Sequence, residues 1–308
     1  MSRVSVVIPA RNEPYLAKTV DDLFRTAWSD LEVVVVLDGC EAPDLKERDR
    51  LVIVRHETAK GARVAINNGV NVATGRYVLK LDAHCRLSEG FDEILKRDHE
   101  YEWLVTVPRY IFRPETWTTR HFPIEYERVD WPFHPGRAIG GLVPRKWYGE
   151  SGMEKDNQRP ECYYYLEFKR KHLAIDEIQT CNGAFFFIEK KRYLEFGGLD
   201  ERFWNYQSDI CEIAFKAWLS GGAFMINKRA WHGHWWKSED KRGWKLDWRA
   251  LRRSAAYLTW YWSHDQWPGA KRPFKWFVEH FWPIPGWPDN WEEVVSNFKE
   301  PELGEFPA

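Results

Sequence analysis

Tyr77-Val78-Leu79-Lys80-Leu81-Asp82-Ala83-His84 is the stretch whose reading decides the fold. Tyr77 to Leu81 reads as a short buried strand that runs directly into Asp82-Ala83-His84. Working back from it, Ala62, Ala65, Ile66, Val70 and Ala73 recur at helical spacing, and Thr74-Gly75 closes that stripe. Before them lie two more apolar runs, Leu51–Val54 and Val33–Leu37, the second followed by Asp38-Gly39. At the start, Val4–Ile8 reads as a strand stopped by Pro9. A helix follows, with Pro14 in its first turn and Leu16, Val20, Leu23, Phe24 and Ala27 on one face. Strands alternating with helices in this way predict an α/β fold with a mostly parallel, Rossmann-like sheet flanked by helices. Right-handed crossovers place the C-terminal strand ends on one edge, where such sheets bind ligands. Asp38 and Asp82 both follow strand ends, so both are expected in one crevice.

Working forward, residues 109–171 are rich in Pro, Trp, Tyr and charge and show little periodicity. They read as long loops that shape an acceptor site. Gly183–Ile188 reads as a strand, and Glu189–Phe196 as a short helix closed by Gly197-Gly198. Ile210, Ile213, Ala214 and Ala217 mark a further helix with Asp209 and Glu212 near its start and Gly221-Gly222 at its end. An Arg-rich helix is expected over Leu246–Trp262, followed by an irregular Trp/Pro-rich tail. No internal repeat or low-complexity linker interrupts the chain. The reading divides it into 1–240, with a nucleotide-binding half 1–108 and an acceptor and metal half 109–240, and a basic, Trp-rich extension 241–308.

The 308 residues are enough for one large α/β domain with an appendage, and 30% charged against 44% hydrophobic excludes disordered and fibrous classes. No apolar run approaches the ~20 residues that span a bilayer. The N-terminus lacks a small-residue cleavage site and reads as a strand. Five scattered cysteines and no CxxC pair fit reduced thiols in a cytoplasm rather than a zinc site. Nineteen tryptophans are unusual, though packing alone accounts for most Trp residues. Net charge is −1, unevenly spread. Residues 227–276 hold twelve Lys/Arg against four Asp/Glu, while 277–308 hold seven acids and one Lys. The basic block suits an anionic partner, or a solvated helix face that pairs with the acidic tail.

Asp-x-His at a strand end aims a hard oxygen and an imidazole nitrogen at one point. Mg²⁺ favours such oxygen, and Mn²⁺ also accepts the nitrogen. By itself the pattern also describes a helix-capping Asp and a loop His. Several ordered motifs sharpen it. Val4–Glu13 (VSVVIPARNE) resembles the opening strand and loop of family-two glycosyltransferases of the GT-A fold, and Val33–Gly39 resembles their second strand. Lys60-Gly61 through Gly69 and Ala73–Tyr77 are similar to their glycine-punctuated helix, and Leu81–His84 stands where they carry Asp-x-Asp. The His variant with Cys85, the run Asn182–Ile188, Gly197–Asp200, Tyr206–Trp218 and Gly233-His234 are closest to the polypeptide N-acetylgalactosaminyltransferases. Their Trp-Gly-Gly-Glu is replaced here by Tyr206-Gln207-Ser208-Asp209. Their lectin-like domain and anchor have no counterpart, so a Golgi mucin-type enzyme is not expected.

The resemblance implies transfer of a sugar from a UDP-sugar to a hydroxyl, with Mn²⁺ or Mg²⁺ held by Asp82, His84 and His234, His232 being the alternative third ligand. Pro9, Ala10, Arg11, Glu13, Asp38, Lys60, Arg63, Asp82, Asn182 and Gly183 are expected at the nucleotide-sugar, Asp38 on the uracil or ribose. Lys237, Lys241 or Arg242 is expected to add positive charge over the diphosphate from a closing loop. Asp209 is the expected catalytic carboxylate: general base if the reaction inverts, acceptor-orienting or charge-stabilising if it retains. Glu212 is either its partner or a helix-terminal charge. The basic, Trp-interleaved 227–276 segment points to DNA as acceptor, through a flipped hydroxymethylpyrimidine as in phage DNA modification, in a bacterial or phage-infected cytoplasm. A protein, saccharide or lipid-linked hydroxyl is the alternative acceptor. A non-catalytic nucleotide-sugar or glycan-binding module is the alternative of another class.

Overall fold

The computed structural model describes residues 2–133, 142, 144–146, 170, 172–203, 208–245 and 247–302. Its centre is an eight-stranded sheet in the order β11-β13-β6-β12-β4-β1-β2-β3. The strands are β1 (Val4–Ala10), β2 (Leu31–Asp38), β3 (Leu51–His56), β4 (Tyr77–Leu81), β6 (Trp103–Thr106), β11 (Ile175–Glu177), β12 (Phe185–Glu189) and β13 (Ala223–Asn227). β4, β1, β2 and β3 run parallel, joined by α1 (Leu16–Thr26) between β1 and β2 and α2 (Ala62–Val72) between β3 and β4. β12 is antiparallel to both β4 and β6, so the sheet is mixed beyond its N-terminal half.

Pro9 does not end β1, which runs on to Ala10. Pairing with β4 ends at Val7, so beyond it one flank of β1 needs no donor, and a proline is tolerated there. β1 and β2 are buried almost throughout because helices cover both faces, which explains their unbroken apolar runs.

The expectation of long loops from residue 109 is corrected over the described part of that segment. β7 (Arg109–Arg113) and β8 (Thr118–Ile124) pair with β5 (Cys85–Leu87) and β14 (His232–His234) in a four-stranded sheet of order β5-β14-β7-β8. β9 (Glu127–Val129) and β10 (Pro144–Lys146) form a two-stranded ribbon. β5, β9, β10 and β14 have only three residues each, β8 (TTRHFPI) is largely polar with an internal proline, and a bulge between Tyr110 and Phe112 breaks the alternation that betrays a strand. Residues 134–141, 143, 147–169 and 171 lie outside the described residues, as do 204–207 of the motif quoted above.

The remaining helices are α3 (Phe91–Arg97), α4 (Lys190–Glu195), α5 (Asp209–Leu219), α6 (Trp248–Ser263), α7 (Phe274–His280) and α8 (Trp291–Ser296). The tail is therefore less irregular than expected. α5 is buried along its whole length. Its Phe215 meets Trp262 of α6 and Phe274 and Phe277 of α7 at ring separations of 5.1–5.5 Å, and Trp218 meets Phe281 at 5.3 Å. Asp247 caps α6 by accepting from the backbone N–H of Arg249 and Ala250. Most of the tail's aromatics are thus core.

Candidate active site

A cavity of about 820 Å³ opens at the C-terminal edge of the parallel strands. Asp82 and His84 enter it from the turn between β4 and β5. β14 lies antiparallel to β5 with His234 opposite Cys85, which brings residue 234 beside residue 84. The two imidazole Nε2 atoms are 3.2 Å apart. Asp82 Oδ2 lies 3.3 Å from His234 Nε2 and 3.9 Å from His84 Nε2. Neighbouring donors on an octahedral ion, each bonded at about 2.1 Å, are separated by roughly 3 Å. One ion therefore fits among these atoms, which all lie within 4.8 Å of one another.

The surroundings hold this geometry. Glu13 Oε2 faces His84 Nδ1 at 3.0 Å, which fixes the ring and directs Nε2 inward. Glu13 also pairs with Lys237, and although burial opposes its ionisation, His84 and Lys237 hold its carboxyl below the usual range. Lys80 Nζ donates to Asp82 Oδ1 at 2.5 Å and to the Gly183 carbonyl at 2.5 Å, leaving Asp82 Oδ2 toward the imidazoles. Burial works against the Asp82 charge too, but Lys80, His234 and His84 outweigh it and place the carboxyl well below its ordinary range. Burial pushes the His234 imidazole down to about 4, so the ring is neutral and able to ligate at neutral pH. His232, two residues earlier on β14, stacks on Phe185 at 5.2 Å and sits outside the cluster.

Asp209 begins α5 and points its carboxylate at the cavity wall formed by Gly183. A β-carbon on Gly183 would stand 3.2 Å from Asp209 Oδ1, so any larger residue there would crowd the carboxylate and press it to shift by a few tenths of an ångström. That oxygen is buried without a hydrogen-bond partner among the described residues. Burial raises the Asp209 carboxyl to about 6, partly offset by Lys80 and Arg63. Glu212, one turn on, does not line the cavity. It is fully buried, paired with Arg63 and with Lys216 at 2.7 Å, and it accepts from the Asp200 N–H at 2.7 Å.

The other expected residues distribute as follows. Pro9, Ala10, Arg11, Asp38, Lys60, Arg63, Asn182 and Gly183 all line the cavity. Asp38 takes the backbone N–H groups of Lys60 and Gly61, at 2.7 and 2.9 Å. Lys237 and Arg242 line the cavity and Lys241 does not. The sequence reading missed Lys80, although a lysine inside an apolar strand, on the same face as Asp82, was a visible signal. It also missed Trp235, Trp236, Trp244, Lys245, Asp247 and Leu251 as cavity wall. This wall is laid over the N-terminal loop, where Asn12 donates to the Gly243 carbonyl at 3.0 Å.

A family model described as glycosyl transferase family 2 matches residues 5–191. The chain belongs to that family. Among curated relatives, polypeptide N-acetylgalactosaminyltransferase 5 of Caenorhabditis elegans is 27% identical over 287 residues, 86% of this chain and 42% of that protein. The uncharacterized glycosyltransferase EpsJ of Bacillus subtilis is 31% identical over 108 residues, 33% of this chain and 31% of that one. The chain thus spans less than half the length of these relatives. Among solved structures, GalNAc-T7 with UDP, GalNAc and Mn²⁺ aligns with a TM-score of 0.63 at 18% identity, over 97% of this chain and 58% of that one. The mannosyltransferase PcManGT from Pyrobaculum calidifontis, with GDP-Man and Mn²⁺, aligns at 0.53 and 18%, over 90% and 68%. The fold is the GT-A fold of this family, a large sheet flanked by helices with an aromatic C-terminal cluster.

Proposed function

We propose that this chain transfers a sugar from a UDP-sugar to an acceptor hydroxyl, using Mn²⁺ or Mg²⁺ held by Asp82, His84 and His234. The observation that carries the reading is the convergence of those three donor atoms in a cavity large enough for a nucleotide. One carboxylate with two imidazoles suits Mn²⁺ better than Mg²⁺. When bound, the cation would supply charge stabilisation of the departing diphosphate. Lys237 and Arg242, on the wall over the cavity, add positive charge on the same side. Lys80 fixes which oxygen of Asp82 turns inward, and Glu13 orients His84. Asp209 then faces the acceptor side as a carboxylate tuned close to neutrality. It serves as general base if the configuration inverts, and orients the acceptor or stabilises oxocarbenium charge if it is retained. In this reading residues 1–108 hold the nucleotide and contribute Asp82 and His84, 109–240 add His234 and the acceptor side with Asp209, and the 241–308 extension closes the cavity.

For the acceptor we favour a hydroxymethylpyrimidine in DNA. Several of the basic residues in 227–276 are engaged internally, among them Lys228, Arg229, Lys237, Arg272 and Lys275. Lys245 is exposed on the cavity wall, Lys241 just outside it, and Arg249 and Arg252 on the adjoining start of α6, with Trp236 and Trp248 exposed by 58% and 50%. Cations interleaved with exposed aromatic faces suit a nucleic-acid strand with an unstacked base. A DNA acceptor would place the protein in a bacterial or phage-infected cytoplasm. Among the described residues, no helix is long and apolar enough to cross a membrane.

The test is mass spectrometry after incubating the full chain with Mn²⁺, a panel of UDP-sugars, and hydroxymethylated DNA, peptide and glycan pools. A sugar added to DNA, with binding that falls steeply as salt rises, supports the whole reading. A sugar added to peptide or glycan overturns the DNA acceptor and keeps the transferase. No transfer and no donor hydrolysis with any UDP-sugar overturns both.

A further inference from the structure

Asp38 closes β2 and lines the cavity beside Pro9, Lys60 and Gly61. Its carboxylate already receives three donors. Oδ1 faces His56 Nδ1 at 2.8 Å and accepts from the Lys60 N–H at 2.7 Å, while Oδ2 accepts from the Gly61 N–H at 2.9 Å. A carboxylate has about four lone-pair sites, two on each oxygen. Oδ1 is therefore full, and Oδ2 keeps one site.

The crowding has a fixed cause. His56 ends β3 directly opposite Asp38 in the parallel register, and its side chain is only 4% exposed. On its far side, Nε2 meets Asn68 Nδ2 of α2 at 2.9 Å. With the Asn68 amide donating to Nε2, the ring proton sits on Nδ1 and points at Asp38. Strand register and a neighbouring helix thus hold a donor permanently on Oδ1.

We propose that His56, locked by Asn68, is a specificity-determining residue that limits Asp38 to a single N–H and so selects a donor nucleotide carrying a uracil-type base. The inference rests on the nucleotide-sugar reading above, with the base rather than the ribose seated against Asp38 on the cavity wall, and names what that site excludes. Uracil presents one ring N–H, which the remaining site on Oδ2 can accept. Guanine presents its ring N–H and exocyclic amine side by side, a fork that needs both oxygens of a carboxylate. Cytosine presents an acceptor at the same ring position, which would set two acceptors face to face. Asp38 therefore rejects cytosine, and His56 is the part that rejects guanine.

The experiment is calorimetric titration of the full chain with UDP, GDP and CDP in the presence of Mn²⁺, alongside thermal unfolding of each variant. Wild type is expected to bind UDP at least tenfold more tightly than GDP or CDP. His56→Ala should narrow the UDP-to-GDP ratio at least tenfold and leave the UDP-to-CDP preference in place, because Asp38 still demands an N–H. His56→Gln, which can return an amide N–H to Oδ1, should restore the UDP-to-GDP ratio. Asn68→Ala reaches the same device from outside the cavity and should narrow that ratio at least threefold. A folded His56→Ala or Asn68→Ala protein that keeps the wild-type ratio overturns the assignment. Equal binding of UDP and GDP by wild type overturns the role of His56 and leaves a nucleotide-sugar donor standing. Binding of none of the three removes the donor reading itself.

Discussion

Glu13→Gln is the sharpest perturbation of the proposed metal site, because it leaves every ligand in place. Glu13 has 8% side-chain exposure and serves two cations or donors at once, His84 through Oε2 and Lys237 through Oε1. A glutamine has one acceptor oxygen. If that oxygen serves His84, the amide N–H₂ faces Lys237, and if it serves Lys237, the amide faces the His84 N–H. One charge-assisted hydrogen bond worth about 1.5–3 kcal/mol is lost in either arrangement. Loss of an outer partner of a metal-ligating imidazole typically weakens metal binding about 10- to 100-fold, or roughly 1.4–2.7 kcal/mol, which agrees with that figure. Mn²⁺ affinity, titrated with UDP present, should therefore fall by that factor. Turnover at saturating Mn²⁺ should return close to wild type, since the ligands and Asp209 are untouched. An Mn²⁺ affinity within twofold of wild type would falsify the claim that Glu13 orients His84. Turnover lost even at saturating metal would place Glu13 on the substrate instead.

Asp209→Asn should bind metal and donor normally and lose about 10²- to 10⁴-fold in transfer rate, as expected for removal of a general base; near-normal turnover removes Asp209 from the reaction. Because burial raises its carboxyl to about 6 and a base works ionised, wild-type turnover should fall as pH drops through about 6, and a flat pH–rate profile contradicts the assignment. Glu212→Gln leaves Arg63 and Lys216 facing a neutral amide in the core, so it should cost about 3–5 kcal/mol in urea unfolding, with turnover per folded molecule changed far less than in Asp209→Asn. Burial lowers His99 to about 4, against an ordinary value near 6.5. Its neutral ring therefore contributes stability that is present above pH 6.5 and lost as pH falls toward 4, about 3 kcal/mol in all. Urea unfolding at pH 7 and 4.5 should show this loss in wild type and a smaller one in His99→Gln.

The N-terminal half was legible because its physics is local. β1 to β4 are continuous apolar runs at regular spacing, and the Asp82-Ala83-His84 turn follows the last of them. His234 was reachable only through a motif resemblance, since its approach to His84 depends on β14 pairing with β5 across about 150 residues. Nothing in the sequence separated His232 from His234; the pairing register and the stacking on Phe185 do so. The strands of the four-stranded sheet were hidden by the three-residue length of β5 and β14, the polar, proline-containing sequence of β8 and a bulge between β7 and β8. Glu212 shows the limit of spacing arguments. It shares a helix with Asp209, yet the rotation of α5 turns it toward Arg63 and Lys216 in the interior.

The packing of Phe215 and Trp218 against α6 and α7 bears on how the protein can be handled. A gene fragment ending near residue 240 would keep every proposed ligand, yet it would strip the cover from one whole side of α5, the helix that begins with Asp209. Such a fragment should aggregate rather than yield a trimmed enzyme. Fusion partners and truncations are better placed after α8 than at the boundary that composition suggests.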